Sequence, residues 1–229
     1  MNNFIIKKIK IKFLKAEVPV GILYLMVIAT TFNLLRIIIW GKISFVYILW
    51  NLFLAFIPFL ISFIILDLLK RDKLKIIILI IGFLLWLIFI PNAPYLVTDL
   101  IHLGESKTIP ILFDTILLFS SAFLGMVFFF YSLFHIEEIS KKFLSKKWSL
   151  VFIIALIILI SFGIYLGRFL RFNSWDIFIN HYSLLKNVWK IFSENSTKYW
   201  NVYWFTAMFS FFLFFSYVSW KSLIENRND

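Results

Sequence analysis

Six apolar runs parted by short charged turns dominate this chain. Each is close to the roughly 20 residues that an α-helix needs to cross a hydrocarbon core of about 30 Å. Backbone polar groups find no water in that core, so a crossing run must satisfy its own hydrogen bonds as a helix or join a closed barrel. The runs lie near 18–40, 43–66, 76–96, 113–134, 148–166 and 199–220. The predicted fold class is an all-α membrane protein, a bundle of about six transmembrane helices plus an outer interfacial amphipathic helix. Residues 1–229 are read as a single integral membrane domain, without internal repeat or soluble domain.

Composition agrees. The chain is 62% hydrophobic, whereas soluble domains are roughly half apolar. It contains no cysteine, which excludes disulfides, thiolate metal ligands and a thiol nucleophile. The net charge of +11 would suggest nucleic acid in a soluble protein. Here the charges sit in loops beside apolar runs, so membrane lipids are the expected partner and nucleic acid is not.

Cytoplasmic loops carry an excess of Lys and Arg. With the N-terminus inside, fifteen positives fall on cytoplasmic segments, in 1–17, 67–75, 135–147 and the tail. Seven fall outside: Lys42, Lys107, Arg168, Arg171, Lys186, Lys190 and Lys198. The expected topology has six spans and both termini in the cytoplasm. The basic strip 1–17 reads as the first topology signal, and the run after it is too long for a cleaved signal peptide. Arg36, near the end of the first span, is expected to snorkel to the surface.

The third run ends in WLIFIPNAPYLVTDLIHL, residues 86–103. Pro91 and Pro94 should break its helix and push Ile90 and Ala93 toward extended geometry. Asn92 would then cap a new turn. Asn92, Tyr95, Thr98, Asp99 and His102 are the densest polar run at membrane level. Asp99 and His102 are three apart and would share a helical face. Asp114 opens the fourth span, where a helix N-terminus favours negative charge. Ser121 and Gly125 form a small-xxx-small pair that admits another helix.

The other outer segment is GRFLRFNSWD, residues 167–176. Arg168 and Arg171 are spaced to share a helical face, with Asp99, Asp176 or Asp114 as partners. A guanidinium in low dielectric can also hold a phosphate or carboxylate. Asn173 and Asp176 have the spacing of a capping box. They open an amphipathic helix over 174–192 that lies in the interface or caps the bundle. Asn195-Ser196-Thr197 matches a glycosylation sequon.

The stretches PNAPYLVTDLIHL (91–103) and YLGRFLRFNSWD (165–176) resemble the hallmark segments of a bacterial integral-membrane family catalogued as domain of unknown function 1361. The resemblance covers nearly the whole chain. It implies a multi-pass protein of the bacterial cytoplasmic membrane and supplies no activity, substrate or catalytic residue.

The expected site is therefore a polar, outward-facing one, built from Asn92, Tyr95, Asp99, His102, Asp114, Arg168, Arg171, Asn173 and Asp176. It would bind a small polar or anionic ligand or a membrane-protein partner, without an enzymatic role. The alternative is a membrane-embedded enzyme acting on a lipid-linked or head-group substrate, with Asp99 or His102 as general base and the arginines as anion clamp. The spacing of His102, His181, Asp99 and Asp176 matches no metal motif, so neither a metal nor a cofactor is expected.

Overall fold

The computed structural model describes residues 8–9, 18–41, 43–106, 108–193 and 200–225. The rest of the 1–17 strip and the Asn195-Ser196-Thr197 sequon lie outside the described residues. Apart from a two-residue antiparallel pairing of β1 (Lys8–Ile9) with β2 (Val18–Pro19), the regular structure described is helical. Six described stretches are long and apolar enough to cross a bilayer: Val20–Trp40, Val46–Lys70, Ile76–His102, Ile111–Ser140, Lys146–Leu170 and Val202–Ile224. The chain is a multi-pass, all-α membrane protein. It divides into two compact units, Met1–Ile139 and Ser140–Asp229.

The first unit holds α1 (Val20–Trp40), α2 (Val46–Lys70), α3 (Ile76–Phe89), α4 (Asn92–Thr98) and all but the last residue of α5 (Ile111–Ser140). A single 3₁₀ turn, Asp99–His102, follows α4. One face of α5 organises the unit. Asp114, Leu118, Ser121, Gly125, Phe128, Ser132, His135 and Ile139 recur at alternating steps of four and three, and all are buried. That spacing keeps a stripe on one side of a helix. Apolar members of the stripe fill the core with Ile48, Phe59, Trp86 and Leu96. The outer faces of α3 carry exposed Ile76, Ile77, Ile80, Ile81 and Leu84, as lipid-facing positions should.

Two expectations fail here. The first concerns the proline break, which is not extended. Ile90 and Pro91 both keep right-handed helical angles, and Ala93 lies inside α4. The steric bias against helical residues before proline is outweighed by packing, since Ile90 and Ala93 are fully buried. Proline also fits the first turn of a helix, where its missing N–H costs nothing. Asn92 does not cap: its Nδ2 donates 2.8 Å backward to the Phe89 carbonyl. The Ala93 and Tyr95 amides donate to the Ile90 and Pro91 carbonyls, so helical hydrogen bonding resumes directly after the prolines. The second failure concerns His135, expected in a charged loop. α5 runs on to Ser140 and buries it.

The second unit holds α6 (Lys146–Leu170), α7 (Asp176–Ile179), α8 (His181–Ser193) and α9 (Trp200–Glu225). α6 and α9 pack together through Tyr165, Phe169, Phe205 and Val202. The amphipathic helix expected over 174–192 is split at Asn180, whose φ of −118° leaves the helical region.

Candidate functional site

The polar groups of the first unit pair with one another along the α5 stripe. Arg36 of α1 meets Asp114 in the first turn of α5: Nε lies 2.9 Å from Oδ1 and Nη2 3.3 Å from Oδ2. Nη1 donates to Ser44 Oγ at 2.8 Å, and the guanidinium carbon sits 3.9 Å above the Phe45 ring. Arg36 is 1% exposed and Asp114 2%. The expectation that Arg36 snorkels is thus wrong. A planar guanidinium can be taken out of water when a carboxylate accepts two of its hydrogen bonds and an aromatic face covers it.

Further along the stripe, Asn33 donates to Ser121 Oγ at 3.3 Å and to the Ala29 carbonyl at 2.8 Å. Gly125 faces the backbone of α4: a Cβ there would collide with the Ala93 carbonyl oxygen and stand 2.8 Å from Leu96 Cδ1. Trp86 Nε1 donates to Ser132 Oγ at 2.6 Å, and Ser132 donates to the Pro58 carbonyl at 3.1 Å. His135 Nδ1 lies 3.1 Å from Ser62 Oγ, among the rings of Phe59, Phe63 and Tyr131. Each polar residue of the stripe thereby ties α5 to a neighbouring helix.

Of the sequence-predicted residues of the first unit, Asp114 pairs with Arg36 of α1, while Asp99 and His102 lie in the turn after α4. Asp99 is 2% exposed, and Asn51 Nδ2 lies 3.3 Å from its Oδ2. His102 Nδ1 lies 2.6 Å from Glu105 Oε1, and its ring meets Tyr47 edge-on at 5.9 Å. Asn92 and Tyr95 are half-buried. Arg36, Ser44, Phe45, Asn51 and Glu105 were not among the expected site residues. Arg36 and Asn51 carried a signal, since both are polar residues within otherwise apolar spans.

The remaining predicted residues belong to the second unit. Arg168 is half-buried in the last turn of α6. Arg171 lies beyond that helix with φ 59°, the left-handed region, and is exposed. The two arginines therefore do not share a helical face, because the helix that would align them ends at Leu170. Asp176 is buried and takes its hydrogen bonds from asparagines. The Asn173 backbone N–H donates to Oδ2 at 2.6 Å, Asn173 Nδ2 reaches the same oxygen at 3.4 Å, and Asn180 Nδ2 donates to Oδ1 at 2.8 Å. Half of the expected capping box exists, since the carboxylate accepts the backbone N–H while Asn173's side chain caps nothing. The Asn173 backbone bond, with the two side-chain amides, holds the Asp176 carboxyl below the ordinary carboxylate range, against the opposing effect of burial.

Among the described residues, no cluster of three or more His, Asp or Glu is placed to hold a metal ion. No curated protein and no solved structure matches the chain. A family model does match, over residues 50–223, and its description is a protein of unknown function, DUF1361. Those residues include both polar segments and most of the α5 partners, and the chain belongs to the DUF1361 family.

Proposed function

We propose that this is a non-enzymatic multi-pass protein of the bacterial cytoplasmic membrane, with both termini in the cytoplasm. On this reading, the end of the first unit around Asn51, Asp99 and His102 faces outward and binds a small polar ligand. The orientation rests on the fifteen-to-seven division of Lys and Arg between the two sides. One observation carries the binding role. Asp99, buried at the end of a membrane span, meets Asn51 from a second helix, beside the Tyr47–His102 ring pair. Ionisable groups at membrane level are costly and tend to mark binding sites. A few converging polar groups beside aromatic walls make a ligand site. Of the two ligand classes, a hydrogen-bonding one suits this end better than an anionic one. Asp114 already neutralises Arg36, and Asp99 and Glu105 bring further carboxylates.

The test is the thermal stability of the purified protein in nanodiscs against a panel of polyols, amides and inorganic phosphate. A neutral polar compound should raise the midpoint of the wild type and leave Asn51→Ala unmoved. A response to phosphate alone would reverse the choice of ligand class. No response to any compound would remove the binding role.

The His102–Glu105 contact favours a second reading, a membrane-embedded enzyme working on a lipid-linked or head-group substrate. A carboxylate that orients an imidazole is a general-base arrangement. Lipid profiling of a deletion strain separates the two: an altered head-group pattern supports the enzyme, and an unchanged pattern supports the binding protein.

A further inference from the structure

α8 shows one apolar arc with two different surroundings. Leu184, Val188 and Ile191 lie along one flank of the arc. Ile191 is 2% exposed, packed with Tyr165 and Val202 and flanked by Phe162, Leu166 and Phe205. Tyr182, Leu185, Trp189 and Phe192 lie along the other flank and are all exposed, as are Ile177, Phe178 and Ile179 of α7. Opposite the arc stand Ser183, Lys186, Asn187 and Lys190. The two lysines are four residues apart, hence on the same side of the helix.

The depth of the helix follows from its neighbours. α6 has 25 residues, so it is about 37 Å long at ~1.5 Å per residue, against about 30 Å of hydrocarbon. Phe192 meets Phe162 at 6.1 Å between ring centroids, and Phe162 lies eight residues before the end of α6. Eight residues are about 12 Å. With α6 centred in the core, this contact lies roughly 8 Å inside the hydrocarbon boundary, within the ~5–10 Å to which interfacial helices sink their apolar faces.

We infer that α7 and α8 form an interfacial paddle in one leaflet, with Tyr182, Leu185, Trp189 and Phe192 among the acyl chains and Lys186 and Lys190 on the phosphates of anionic phospholipids. The buried flank fixes the rotation of α8. That rotation turns the exposed aromatic flank to lipid and raises the lysines toward the head groups, where positive charge is attracted to an anionic surface.

The native chain has no cysteine, so single cysteines at Leu185, Phe192, Lys186 and Lys190 can each carry a spin label. The labelled proteins are reconstituted in vesicles of phosphatidylcholine with phosphatidylglycerol. Labels at 185 and 192 should collide with oxygen, and labels at 186 and 190 with a water-soluble nickel chelate. Trp189 provides a second readout that needs no label. Brominated acyl chains should quench wild-type fluorescence more than that of Trp189→Phe. Replacing phosphatidylglycerol with phosphatidylcholine should reduce this quenching difference, and Lys186→Gln/Lys190→Gln should remove that dependence on anionic lipid. Nickel access at 185 and 192 would overturn the inference in favour of a water-exposed cap. Protection of those positions from both reagents would overturn it in favour of a protein partner or a second copy. Quenching that ignores lipid charge would refute the head-group contact.

Discussion

Arg36 and Asp114 are 78 residues apart in sequence, yet they form a two-point ion pair with almost no exposure to solvent. Removing one partner strands the other charge, which costs about 3–5 kcal/mol for a buried pair. Arg36→Gln and Asp114→Asn should each lower the unfolding midpoint in detergent sharply. The double variant should lose less than the two losses combined. Additive losses would show that the pair is not coupled.

Gly125 and Gly82 make a matched comparison. At Gly125 an added Cβ would meet backbone, the Ala93 carbonyl oxygen, which cannot move without shifting α4. Gly125→Ala should therefore cost about 1–3 kcal/mol, as overpacking does. At Gly82 the obstacle is Ile65 Cδ1 at 2.8 Å, the end of a flexible side chain. Alanine also favours a helix over glycine by about 1 kcal/mol, so Gly82→Ala should be close to neutral. Equal losses at the two positions in thermal unfolding would contradict the close approach of α4 to α5.

Much of this fold can be read from the sequence because membrane spans are set by apolar length, a local property. The six spans need no knowledge of what each helix touches. Pairings are different. Arg36 looked like a snorkelling residue because Asp114, Ser44 and Phe45 come together only in three dimensions. His135 looked like a loop residue because it precedes a run of charges, while its partner Ser62 lies on α2. The polar members of the α5 stripe did leave a trace in the 114, 121, 125, 132, 135 spacing. Only the Ser121 and Gly125 part of it reads as a known packing motif. The proline run shows the opposite error. Local steric rules pointed to extended backbone, and the tertiary packing of Ile90 and Ala93 kept it helical.

Arg171 occupies the left-handed position that closes α6, a place usually taken by glycine. A side chain there costs roughly 1–2 kcal/mol. Arg171→Gly should leave the unfolding midpoint unchanged or raise it. A clear loss of stability would show that the guanidinium holds the segment together.

Asp176 gives the 173–180 segment a dependence on pH. Its folded pKa lies below 3.8, its ordinary value, so ionised Asp176 stabilises the segment. That contribution is complete above the ordinary value and is lost as pH falls through the lower, folded one. Hydrogen exchange should find the amides of this segment protected at neutral pH and less so in strong acid. Asp176→Asn should exchange faster at neutral pH and lose the acid dependence. An acid response unchanged in the variant would assign it to another group.

The orientation of the bundle decides whether the Asn51–Asp99 end can meet an external ligand at all. Single cysteines at Ser106, Lys186 and Lys146 report it directly in intact cells with an impermeant thiol reagent. The account predicts labelling at 106 and 186, with 146 reacting only after the cells are opened. Labelling of 146 in intact cells, with 106 and 186 protected, would contradict it.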